Sequence, residues 1–137
     1  MTHYLALDVG VTTGIAVYDT EEDVFVYLNS VTPERLNIVL YEVFKTYNIE
    51  TIIIENPAVR PVHVSTDLRK DMQRLSSFVY NIVNREKNLR SAIVQIRPAD
   101  WKPITGNRYK HMQTFKSVHE QDAAEMLIFY LEKEGIV

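Results

Sequence analysis

Three acidic residues stand where chemistry could use them. Asp8 closes the apolar run from Tyr4, Glu55 closes the β-branched run from Thr51, and Asp122 follows His119 by three residues near the start of the last helical stretch. Carboxylates brought together repel unless a proton or a cation joins them, so acids ending two neighbouring strands predict a cation site. The chain has no cysteine. Thiolate nucleophiles, disulfides and cysteine-based zinc sites are therefore excluded, and any metal must be held by oxygen and imidazole. An oxygen-rich donor set favours Mg²⁺, with Mn²⁺ as substitute. Two such ions about 4 Å apart would ionise an attacking water and stabilise the leaving oxygen of a phosphodiester. Asp8, Glu55, His119 and Asp122 are accordingly expected to be both catalytic and metal-ligating. Each has a plainer reading when taken alone: Asp8 as a turn residue, Glu55 as a loop-facing acid, Asp122 as a partner of the helix dipole, His119 as a structural histidine. Glu125, one turn further on, is an alternative to Asp122 that lies deeper along the helix.

These positions need elements to hold them. Tyr4–Asp8, Gly14–Tyr18 and Val24–Leu28 read as three short strands joined by tight turns, an antiparallel meander. Thr32 offers an N-cap and Pro33 a first helical residue, after which Leu36, Val39, Leu40, Val43, Phe44 and Tyr47 recur at helical spacing. The nearly all-apolar run Thr51–Glu55 suits a central strand covered on both faces, and its place after a helix implies a crossover into a parallel neighbour. A long helix over residues 67–88 carries the stripe Leu68, Met72, Leu75, Phe78, Val79 and Ile82, which either packs on its own sheet or serves a homodimer face. Ala92–Ile96 is a fifth strand. The last helix, about residues 117–134, opens on Ser117 and Glu120, the S-x-x-E capping box, in which the Ser oxygen takes the third amide and the Glu reaches back to the cap. That frame puts His119 and Asp122 on one side near the positive helix end, with Met126, Phe129 and Tyr130 continuing the same side into the core. The whole is an α/β order, β-β-β-α-β-α-β-α, with a five-stranded mixed sheet, and ligands of such sheets gather where strand ends open beside a topological switch.

With 137 residues, 46% hydrophobic and 24% charged, the chain reads as one globular domain over residues 1–137, without linker or repeat. No basic leader precedes a long apolar run and no stretch approaches the roughly 20 apolar residues of a membrane span, so a cytoplasmic location and no membrane partner are expected. The net charge of −3 conceals an asymmetry. Residues 1–55 carry two basic and nine acidic side chains, residues 56–116 twelve and four, and residues 117–137 one and five. A basic middle suits a face that meets phosphates, although it could also merely solvate a helix and a loop. On the nucleic-acid reading, Arg60, Arg69, Lys70 and Arg74 flank the Glu55 edge, and Lys102, Arg108, Lys110 and Lys116, with Arg97, supply a second set of DNA contacts. Trp101 or Tyr109 would stack on an unpaired base, unless Trp101 plugs the core beneath its loop.

Several blocks resemble a known family. Leu7-Asp8-Val9-Gly10 running through Thr13-Gly14-Ile15-Ala16-Val17, then Ile54-Glu55, then Arg97-Pro98-Ala99-Asp100-Trp101-Lys102 with Thr105-Gly106-Asn107, and finally His119-Glu120-Gln121-Asp122-Ala123-Ala124, are similar in order and spacing to RuvC-type Holliday-junction resolvases. The resemblance implies a ribonuclease H-like fold, a homodimer, four-way or branched DNA as partner, and paired Mg²⁺-dependent nicks. It puts Asp8, Glu55, His119 and Asp122 on the family's catalytic positions and Lys102, Lys110 and Lys116 in its DNA-contacting region. The chain departs from the family in having no aromatic residue shortly after Glu55, where it reads Asn56-Pro57-Ala58-Val59, and in offering Ser76 and Ser77 where the long helix commonly has glycine. It is also shorter than usual bacterial members, as a compact phage or viral relative would be.

Three other readings compete. YqgF-like ribosomal RNA processing nucleases share the opening Asp-x-Gly strand, and the His119-x-x-Asp122 helix favours the resolvases over them. The segment Asp8–Gly14 also resembles the first phosphate loop of sugar kinase and actin-like ATPases, but that fold needs two lobes and more than twice this length. A non-catalytic junction-binding protein would bind the same DNA without cutting it.

Overall fold

Apolar residues at a spacing of two build the central layer. In the computed structural model, which describes residues 3–55, 66–88, 90–96 and 117–137 and, within 66–76, the side chains of 74 and 75 alone, β1 (His3–Asp8), β2 (Thr13–Asp19) and β3 (Val24–Val31) form an antiparallel meander. After α1 (Pro33–Thr46), β4 (Ile49–Glu55) returns parallel to β1, with Leu5 beside Ile52 and Leu7 beside Ile54. After α2 (Thr66–Glu86), β5 (Ala92–Ile96) adds parallel to β4, with Glu55 beside Ile96. The final helix is α3 (Val118–Lys133). The sheet order is β3-β2-β1-β4-β5, so the switch from antiparallel to parallel pairing falls at β1.

Alternation along the strands divides the core in two. Leu5, Leu7, Ile15, Val17, Ile52 and Ile54 face α1 and α2, where they meet Leu36, Leu40, Val43, Phe44, Val79, Ile82 and Val83. Tyr4, Ala6, Ala16, Tyr18, Ile53 and Ile96 face α3, where they meet Ala123, Ala124, Met126, Leu127, Ile128 and Leu131. Each fully buried Leu or Ile contributes roughly 1.5–3 kcal/mol, which makes the two helical layers the main source of stability. The apolar stripe of α2 packs on its own sheet through Val79 and Ile82, with Leu75 partly buried, while Phe78 stays 45% exposed. Leu68 and Met72 lie outside the described side chains.

The element ends follow local chemistry. Thr32 takes the N-cap of α1 by its extended backbone, with no side-chain cap bond among the described residues, and Pro33 follows it. At the end of α3, Gly135 adopts φ +71°, a conformation that costs glycine little, and the amides of Gly135 and Ile136 close on the carbonyls of Glu132 and Leu131. β3 runs three residues beyond the expected Leu28, because pairing with β2 persists to Val31 opposite Thr13. Among the described residues no helix is long and apolar enough to cross a membrane.

Candidate active site

Strand register brings the first two acids together. Leu7 pairs with Ile54, so the next residues, Asp8 and Glu55, are neighbours at the end of two parallel strands. Their parity matches that of Ala6 and Ile53, which places both on the α3 side of the sheet. Glu55 is 1% exposed, and neither of its carboxylate oxygens has a hydrogen-bond partner among the described residues. On its other side stands the buried Ile96. A carboxylate stripped of water with nothing to accept from costs about 1–3 kcal/mol or more, and the fold carries that cost next to a second acid, Asp8, 8% exposed. A cation between them would remove it.

The first turn of α3 is seated on the same end of the sheet. Gly14 on β2 is the cross-strand partner of Asp8, and a Cβ there would lie 2.0 Å from the His119 carbonyl oxygen. Only a glycine permits that approach, and the alanines Ala6, Ala16, Ala123 and Ala124 keep the rest of the helix close. The capping box forms in part: the Glu120 amide donates to Ser117 Oγ at 3.2 Å, but the Glu120 carboxylate meets the Ser117 hydroxyl, with Oε2 3.4 Å from Oγ. Ser117 Oγ also lies 3.3 Å from Ser30 Oγ, which ties the cap to β3. Asp122 follows Glu120 by two residues, about 200° around the helix.

The structure thus sets Asp8 and Glu55 side by side and the first turn of α3 over Gly14, without closing the four expected side chains on one point. Asp122 is half-buried and His119 is exposed. Among the described residues, no three His, Asp or Glu side chains lie close enough together to hold one ion. Mutual repulsion of ionised carboxylates gives a physical reason for such an open arrangement. The orphaned Glu55 carboxylate, the neighbouring Asp8 and the predominance of carboxylate oxygen in the set nevertheless fit a hard divalent cation. The helix face expected to be buried is so at Met126, but Phe129 and Tyr130 are half-buried, and residues 123–128 are buried consecutively, on every side of the helix. Glu125 is buried, its Oε1 accepting from Gln121 Nε2 at 3.1 Å, which occupies one oxygen of the alternative ligand.

Of the expected DNA contacts, Arg74 is exposed on α2. The side chains of Arg69 and Lys70 are outside the described ones, and Arg60, Arg97, Lys102, Arg108, Lys110 and Lys116, like Trp101 and Tyr109, lie outside the described residues. Gly14 and Ser30 were not among the expected site residues. A glycine inside a strand was the available signal for Gly14; Ser30 carried none, because its partner Ser117 is 87 residues away.

No family model matches the sequence, and no curated protein does. Solved structures do match. RuvC of Thermus thermophilus superposes with a TM-score of 0.72 at 11% identity, covering 98% of this chain and 97% of that one. The fold is that of RuvC. It is therefore ribonuclease H-like, the five-stranded mixed sheet with helices on both faces. T. thermophilus RuvC in complex with a Holliday junction substrate aligns at a TM-score of 0.70, again at 11% identity, over 91% of this chain and 89% of that one. At this identity the RuvC likeness speaks for the backbone alone.

Proposed function

We propose that the chain is a metal-dependent, structure-selective DNA endonuclease that resolves four-way junctions by paired symmetric nicks. The observation that carries this reading is Glu55, a buried carboxylate without a hydrogen-bond partner among the described residues, set beside Asp8 at the topological switch of a RuvC fold. Asp8, Glu55 and Asp122, with His119 as a fourth group, would hold Mg²⁺ or Mn²⁺, probed as two ions per site, which when bound supplies Lewis-acid stabilisation and an ionised attacking water. The amino end of α3 adds a positive dipole where an anionic phosphate would approach. His119 is exposed on that first turn, which suits a proton carrier; buried Glu55 suits a ligand.

The basic residues between 56 and 116 would neutralise phosphates, and affinity would then fall steeply with salt. Two symmetric nicks require two sites, so the working species is a homodimer, with the exposed surface of α2 around Phe78 as its contact. The test is to incubate the chain with Mg²⁺ and a synthetic four-way junction, a linear duplex and a structured RNA. Two symmetric nicks confined to the junction are expected. Equal cutting of all three overturns the resolvase assignment, and preferential cutting of RNA transfers the site to a ribosomal RNA processing role.

A further inference from the structure

The candidate ligands come from two separate bodies, the sheet and α3, so something must fix the one against the other. Asp8 and Glu55 are held by strand pairing. Asp122 depends on where α3 sits. Three hydroxyl and carboxyl groups bridge the two bodies: Ser30 on β3, the cap residue Ser117, and the buried Glu120. Ser117 Oγ accepts from the Glu120 amide at 3.2 Å. A hydroxyl has one proton to give, and a carboxylate only accepts. The Ser117 hydroxyl can therefore donate to Ser30 Oγ, at 3.3 Å, or to Glu120 Oε2, at 3.4 Å, one at a time. Ser117 is thus the link between Ser30 on β3 and Glu120 on α3. The contact ties the first turn of α3 to β3, and Asp122 lies about 200° around that helix from Glu120.

Resting on the metal-nuclease reading, we propose that Ser30 is a positioning residue for the metal site: through Ser117 and Glu120 it sets the seat of α3 on the sheet, and hence the place of Asp122 relative to Asp8 and Glu55. Gly14 allows the helix to come close, and Ser30 fixes where along the sheet it stops. Residues that orient metal ligands from outside the coordination sphere are worth roughly 10- to 100-fold in metal affinity or activity. A hydroxyl that only stabilised the fold would have no such effect.

The test compares Ser30→Ala with Ser91→Ala. Ser91 makes a buried 2.6 Å hydrogen bond to the Ile49 carbonyl, at the far end of β4 from Glu55, and serves as a control for lost stability. Mn²⁺ binding to each full chain is measured by calorimetry without DNA, alongside urea unfolding in chelator. Ser30→Ala is expected to weaken Mn²⁺ binding by roughly ten-fold, Ser30→Thr to restore it, and Ser91→Ala to leave it at the parental value despite lower stability. Parental Mn²⁺ affinity in Ser30→Ala, or equal weakening in Ser91→Ala, overturns the positioning role while leaving the nuclease reading intact. A parent chain that binds no Mn²⁺ overturns both.

Discussion

The two ends of β4 treat buried polar groups in opposite ways. At the Ile49 end the Ser91 hydroxyl donates to a backbone carbonyl at 2.6 Å, and the donor and acceptor are matched. At the Glu55 end a carboxylate that needs several donors is buried with none among the described residues. The same strand, with one apolar run between its ends, is thus built for stability at one end and, among the described residues, leaves a buried carboxyl group without a hydrogen-bond partner at the other. Such a cost persists in a fold when something outside the polypeptide relieves it or when the group works in chemistry.

Changing the acids breaks this contrast most severely. Asp8→Asn or Asp122→Asn should lower junction cleavage by more than about 100-fold, the upper end of what an outer-shell partner is worth, while gel-shift affinity for the junction stays near the parental value. Loss of binding in step with cutting would mean that these acids serve the fold or the DNA contact instead. Next comes Gly14→Ala, whose new methyl meets the His119 carbonyl and must push α3 off the sheet. A loss of about 1–3 kcal/mol or more in urea unfolding is expected, together with weaker Mn²⁺ binding. Unchanged stability would show that α3 does not sit where Gly14 meets it.

The Glu55 end can also be tested by making it resemble the other. Glu55→Met keeps the length of the side chain and removes the charge, so in chelator it should raise unfolding stability by about 1–3 kcal/mol while abolishing cleavage. Ser91→Ala does the reverse. It removes the hydroxyl that donates to the Ile49 carbonyl and should cost about 1 kcal/mol, with cleavage unchanged. If Ser91→Ala impaired cleavage as much as Asp8→Asn, the division of labour along β4 would be gone.

Much of this was legible in the sequence because it depends on neighbours a few residues apart. The period of two along Tyr4–Asp8 and Thr51–Glu55, the Pro33 helix start and the Ser117 cap each fix an element locally, and the order of elements then leaves few topologies. β5 falls on Ala92–Ile96 as expected, and Asp8 and Glu55 fall on adjacent strand ends. What could not be read is set by contacts distant in sequence. The carboxylate of Glu120 meets the Ser117 side chain, and that side chain meets Ser30; neither follows from a capping pattern. His119 shares the side of Asp122 in a helical frame, yet it is exposed while Asp122 is half-buried.

The central claim is that the Glu55 end of β4 is completed by a divalent cation, and urea unfolding of the parent and of Glu55→Met, each with and without Mn²⁺, tests it most directly. Mn²⁺ at 100 times its dissociation constant should stabilise the parent by about 2.7 kcal/mol and leave Glu55→Met where it was. A parent that ignores Mn²⁺, or a variant that gains as much from it, would contradict the account.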